Sequence, residues 1–309
     1  MPSIAFIGMR FSTTIPRMRL RRFLPTFVFA SVACHCTLLL SSPLGAQQAP
    51  PASGARILIL PRRVVSGERA TLAVLDVNGR LTPGVTVNFS NGDRLTTDAT
   101  GRALFVAPLN SGVVFGTIAG RAGRVPATVM TPAEAETTSI AVTSAPRVAS
   151  LNDRFEVSGQ GFCGEADANQ VTIGGQAALV LASSPVSLAI LPPMELAAGP
   201  QRVEITCAKR GAATFSMTFV ALKLEADSSP LAPAEHRTLA VHVRGTRSKV
   251  RLEARNLAPE IAELTGGPVA RLSSSGGAEN VARFEIVGRK RGSFLISIRL
   301  VATATAPRP

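Results

Sequence analysis

The chain is predicted to be all-β, with three sandwich domains in series behind an N-terminal export segment. Three observations carry this expectation. Short runs in which apolar and polar residues alternate recur from Arg56 to Leu300, which is the period of a half-buried strand. Turn residues separate the runs, among them Asn78-Gly79, Asn91-Gly92 and Gly174-Gly175, and Asn-Gly is the strongest two-residue hairpin signal. Ahead of them, basic, apolar and small residues follow one another in the order of a secretory signal.

That order begins with Met18-Arg-Leu-Arg-Arg22, continues through the apolar run Phe23 to Leu40, and ends in small residues before Gln47. Residues 1–46 are read as a signal peptide cleaved between Ala46 and Gln47. Met18 is the alternative initiator, since the residues before it add nothing to the signal. A retained membrane helix is the rival reading, because the apolar run is long enough to span a bilayer. Pro25 and His35 interrupt it, however, and Pro43 breaks it. Lipidation at Cys34 or Cys36 is the minor alternative, with Ser31 standing where an apolar residue is expected.

Residues 47–54 are a Pro/Ala/Gln linker without periodicity, and the first domain is placed at 55–131. Ile57 to Leu60 is a short strand stopped by Pro61. Ala70 to Asp76, Val85 to Phe89, Ala103 to Ala107 and Val125 to Met130 supply further strands. Asp76 and Asp98 precede turns and are read as turn formers rather than calcium ligands. The order VxxGERATLAVLDVNGRLTPGVTVNFS…TTDATGRALFVAP resembles the bacterial immunoglobulin-like domains of the invasin type. The resemblance implies a sandwich of the kind that forms adhesin stalks.

The second domain is placed at 136–221. Phe155 and Val157 alternate with Glu156 and Ser158, and Gly159 and Gly161 bracket a sharp exit from that strand. Val171 and Ile173 restart the alternation before the Gly174-Gly175 turn. This strand–GxGF–VxIGG–strand order resembles the IPT/TIG domain, an immunoglobulin-like sandwich, over about residues 139–222. The third domain, 222–309, alternates at Leu239 to Val243, Val250 to Ala254, Arg283 to Val287 and Phe294 to Leu300. It is sandwich-like without a named family.

Removal of the signal leaves two cysteines, Cys163 and Cys207. An even pair in an exported chain is expected to form a disulfide. In an immunoglobulin-like sandwich their strands are the second and the sixth, whose following loops share one end. Two buried free thiols are the alternative. A zinc site is disfavoured, because His236 and His242 stand at no zinc spacing from the cysteines. His242 is read as a surface histidine without an acid–base partner.

Composition narrows the function classes. The chain of 309 residues has no Trp and no Tyr, which removes the usual stacking platforms for sugars and single-stranded nucleic acid. The formal charge is +13. Five arginines precede Ala46, so the mature chain keeps 28 basic and 20 acidic residues, or +8. From Leu222 onward there are 14 basic and 8 acidic residues, so +6 of that excess lies in the last domain. Its densest point is Arg289-Lys290-Arg291 on a hairpin tip, the place to look for an anionic partner.

No G-x-S-x-G, H-E-x-x-H, P-loop or C-x-x-C motif occurs, and few histidines remain for acid–base catalysis. The expectation is a non-catalytic protein that needs no cofactor or metal, exported to the periplasm, cell surface or medium. Its modules would serve structural, adhesive or protein-binding roles toward a protein or surface polymer, with no nucleic acid and no membrane span in the mature chain. A polyanion-binding envelope protein acting through the basic C-terminal domain is the alternative. Independent unfolding of the three domains is also expected: the linkers between them are short, but the core pattern restarts at Arg56, Ser139 and Leu222.

Overall fold

The computed structural model describes residues 55–132, 139–207, 211–225, 229–246, 248, 250–267, 269–271, 280–301 and 304–305. The signal segment, the proposed cleavage point at Ala46 and Gln47, and Cys34 and Cys36 lie outside the described residues. The described chain is almost entirely strand, and it builds three immunoglobulin-like β-sandwiches, each around its own hydrophobic core.

The first sandwich contains β1 (Arg56–Ile59), β2 (Arg63–Val65), β3 (Arg69–Asp76), β4 (Thr86–Phe89), β5 (Arg94–Thr96), β6 (Arg102–Val106), β7 (Gly112–Ile118) and β8 (Arg124–Met130). β1, β3 and β6 form one sheet, and β2-β8-β7-β4-β5 the other. Leu72, Val74, Val87, Phe105 and Val129 fill the space between them. The Asn-Gly turns form where expected, with Gly79 at φ 76° and Gly92 at φ 96°. Asp76 Oδ1 accepts from the amides of Asn78 and Arg80 at 2.8 and 2.9 Å. Asp98 Oδ1 accepts from the Thr100 hydroxyl at 2.6 Å and its amide at 2.8 Å. The Thr100 hydroxyl is the largest influence holding the Asp98 carboxyl below its ordinary value. Both aspartates are turn formers.

The second sandwich contains β9 (Ala141–Pro146), β10 (Val148–Ser150), β11 (Phe155–Gln160), a 3-10 turn at Ala166–Ala168, β12 (Asn169–Ile173), β13 (Gln176–Ser184), β14 (Ser187–Leu191), β15 (Gly199–Cys207) and β16 (Ala212–Glu225). Phe155, Phe162, Ile173, Ile190, Ile205, Phe215 and Phe219 are among its buried side chains. Gly159 is required by packing, since a Cβ there would lie 2.1 Å from the Ala141 carbonyl oxygen. Both sandwiches begin with the same device. β1 pairs antiparallel with β3, Pro61 follows, and β2 crosses to pair parallel with β8. Likewise β9 pairs with β11, ends on Pro146, and β10 crosses to pair parallel with β16. A proline without an amide donor stops one ladder and lets the chain change sheets.

The third sandwich adds β17 (His236–Arg244), β18 (Arg251–Asn256), β19 (Ala262–Thr265), β20 (Val269–Arg271), β21 (Asn280–Gly288) and β22 (Ile296–Val301). β16-β17-β21-β19 faces β20-β18-β22 across Val241, Leu252, Phe284 and Ile298. A last short strand, β23 (Ala304–Thr305), pairs with β9. β16 runs uninterrupted across the 221/222 position where the sequence places a boundary. Its residues Ala212 to Phe219 pair with β15, and Ala221 to Glu225 pair with β17.

Candidate functional site

The sequence anticipates β3 as a half-buried strand, yet six of its eight residues are buried. Ala70, Leu72 and Val74 point into the first core. The opposite phase, Thr71, Ala73 and Leu75, lies against the second sandwich. Ile59, Ala73 and Leu75 pack there on Leu181, Ala182 and Ala189, and β3 meets β13 at Thr71 and Ser183. The two sandwiches therefore share a fourth hydrophobic cluster.

The disulfide-closed loop is docked at this seam. Cys163 and Cys207 are bonded, with Cα atoms 5.7 Å apart. Asn169, directly opposite Cys207 across the β12–β15 ladder, accepts from the Cys163 amide at 2.8 Å and donates to the Cys163 carbonyl at 2.9 Å. It also bonds the Glu165 carbonyl and the Ser183 hydroxyl, and Ser183 donates to the Cys163 carbonyl. Asn169 and Ser183 are buried, so this network holds the loop in one conformation.

The far side of the loop is gripped by the first sandwich. The Thr71 hydroxyl donates to the Gly164 carbonyl at 3.0 Å and accepts from the Ala166 amide at 3.2 Å. Gly164 must lack a side chain, because a Cβ would sit 2.1 Å from the Arg69 carbonyl oxygen. Arg69 pairs with Glu165 at 3.0 Å. Arg102, buried on β6, reaches across to Asp167 at 2.9 Å and to the Val180 carbonyl at 2.7 Å. Arg62 pairs with Glu156 on β11; burial is the largest influence and raises the Glu156 carboxyl pKa, while Arg62 opposes the rise. None of this docking is anticipated from the sequence, where Arg102 stands only as a residue after a turn.

The remaining sequence-derived residues lie in the third sandwich. Arg289, Lys290 and Arg291 are exposed, but their segment is not the expected hairpin tip: β21 and β22 belong to different sheets, so it is the crossover between them. The amides of Arg289 and Lys290 both donate to the Ile261 carbonyl, and the Arg289 guanidinium is engaged by Glu263. The structure does not bring this segment together with the disulfide. His242 differs from its expectation: it is half-buried, and its Nε2 lies 2.6 Å from Glu225 Oε2. Adjacent antiparallel strands bring the pair together, because β16 and β17 align Lys223 with His242 and Glu225 with Ala240. Among the described residues, no group of three or more His, Cys, Asp or Glu side chains could hold a metal ion. No helix among them is long and apolar enough to cross a membrane.

No protein-family model matches the chain, and no curated protein matches it in sequence. Solved structures do. One is the Bacteroides ovatus mixed-linkage glucan utilisation locus protein SGBP-B in complex with a mixed-linkage heptasaccharide. It is 15% identical, with 77% of this chain and 73% of that chain covered and a TM-score of 0.29. Domains 1–6 of the surface-layer protein SbsC match at 14% identity over 80% of this chain and 38% of that one, with a TM-score of 0.19. The N-terminal eight immunoglobulin domains of the Down Syndrome Cell Adhesion Molecule match at 10% identity, over 83% and 42%, with a TM-score of 0.21. Similarity this low assigns no ligand to the present chain.

Proposed function

We propose that the chain is an exported, non-catalytic protein of the cell envelope or extracellular space whose immunoglobulin-like modules act as structural, adhesive or protein-binding units. The observation that carries the reading is the seam between the first two sandwiches. Thr71, Arg69 and the buried Arg102 of the first sandwich grip a loop that the disulfide and the buried Asn169–Ser183 bond hold in place within the second, a construction suited to presenting a surface at a set orientation. The disulfide supports an oxidising compartment, and the basic–apolar–small order of the first 46 residues supports export. The resemblances of residues 55–131 to invasin-type domains and of 139–222 to IPT/TIG domains point the same way.

Expression of the full chain in a bacterial host, followed by fractionation, tests the proposal. Protein outside the cytoplasm that begins at Gln47 and carries a Cys163–Cys207 peptide on non-reducing mapping is the expected result. Full-length protein in the cytoplasm with two free thiols would overturn it.

A further inference from the structure

The two outer faces of the third sandwich differ in their charge pattern. The four-stranded sheet interleaves exposed Lys223, Arg244 and Arg283 with exposed Glu225 and Glu285, so the signs cancel at short range. The three-stranded sheet does not. Its central strand, β18, exposes Arg251 and Arg255, with Glu253 half-buried between them. The ladder aligns Glu253 with Arg299 and aligns Arg251 with Arg271 on the other side.

Glu253 is the one acid on β18, and it is taken up by Arg299. Its Oε2 accepts from Nε at 3.1 Å and from Nη2 at 2.5 Å. A carboxylate clamped on two guanidinium donors is directed toward β22, so it is not free to turn toward the arginines flanking it. Neither Arg251 nor Arg255 makes an ion pair with another described residue. Four steps along the strand separate them, or roughly 13 Å at ~3.3 Å per residue. Past Arg255, the turn 257–261 leads to Ile261, whose carbonyl receives the amides of Arg289 and Lys290. The basic segment thus lies at the same end of the sandwich as Arg255.

From this placement we propose that the outer face of β18 and β22 in the third sandwich is a docking surface for an extended acidic polysaccharide, with Arg251 and Arg255 as its principal contacts. The proposal rests on the exported binding role above and names the partner class. Charge complementarity selects an anion, and planar guanidinium donors suit carboxylates in particular. An open sheet face presents its charges in rows, which fits a linear polymer. The absence of Trp and Tyr from the chain leaves charge, rather than ring stacking, to hold the sugar.

The test uses the full exported chain and sodium polygalacturonate as probe, with duplex DNA as the competing polyanion. Binding to polygalacturonate is expected at ~0.1 M salt and should be lost by ~1 M, as the screening length falls from about 10 to about 3 Å. The double variant R251E/R255E should weaken it by roughly tenfold or more. R251Q/R255Q, which adds no repulsion, should give a smaller loss in the same direction. Both sites are exposed, so thermal unfolding should match that of the parent and separate lost contact from lost fold. Three results would overturn the proposal: no binding by the parent chain, tighter binding to duplex DNA, or loss of binding only in R289E/K290E/R291E. Each leaves the export and disulfide results untouched, so failure here is distinguishable from failure of the wider reading.

Discussion

Opening the Cys163–Cys207 bridge tests how far the seam couples the first two sandwiches. The bridge closes a separation of 44 residues, which on the chain-entropy model stabilises by about 4 kcal/mol. Three independently unfolding domains would confine the loss to the middle one. The structure predicts a wider effect, because the loop next to Cys163 also carries the contacts to Thr71, Arg69 and Arg102. A loop released from the disulfide holds these contacts less firmly, and the first sandwich should loosen with the second. In the Cys163→Ser/Cys207→Ser variant, calorimetry should show one transition for the first two sandwiches, lowered by roughly 10 °C for a unit of this size. Hydrogen exchange should show faster amides in β3 and β6 as well as in β11 to β15, with β21 little changed. A shift under ~2 °C would refute the loop-closure estimate. Unchanged exchange at Thr71 and Arg102, with faster exchange around Asn169, would refute the coupling.

Three further perturbations read separate parts of the design. Arg102→Met keeps the buried stem but removes the bond to the Val180 carbonyl, and should cost about 1.5–3 kcal/mol in urea unfolding. The exposed partner Asp167 adds little, and a loss below ~0.5 kcal/mol would count against the buried bond. Asp153 is buried and its carboxyl is pushed up to about 6 by burial, against an ordinary 3.8. The folded state therefore binds the proton more tightly than the unfolded chain. Stability should fall as pH rises from about 4 to about 6, by on the order of 3 kcal/mol. Asp153→Asn should flatten that slope, and a parent profile already flat across this window would rule the effect out. Gly159→Ala forces a methyl to 2.6 Å from the Phe162 ring as well as against the Ala141 carbonyl, and should cost about 1–3 kcal/mol. Gly123→Ala, with nothing within 4 Å of the new Cβ, is the matched control and should be close to neutral in the same melt.

What was legible in the chain depended on how local its cause is. The Asn78-Gly79 and Asn91-Gly92 turns need only two residues with a particular backbone preference, and both form. Alternation at Leu239 to Val243 marks the core side of β17 correctly, because a strand with one wet face must alternate. The cysteine pair needed only a parity argument and a compartment. Arg102 could not be read this way, since its partners Asp167 and Val180 lie 65 and 78 residues further on. His242 finds Glu225 only because β16 carries on past the second sandwich to become the first strand of the third.

Two signals for the long-range features were nevertheless present in the residues. The outward phase of β3, Thr71-x-Ala73-x-Leu75, is small and apolar where a solvated strand would carry charge, as expected when both faces are covered. In β16, Phe215, Met217 and Phe219 keep one phase, and then Val220 and Leu222 take the other. Phe219 belongs to the second core and Val220 to the third. Two successive buried residues in a strand must face opposite ways, so that phase change marks the residue at which one strand leaves one sandwich and enters the next. A linker there would let the last two modules pivot. A continuous ladder from β15 through β16 to β17 instead ties the orientation of the arginine face on β18 to the disulfide-bridged sandwich behind it.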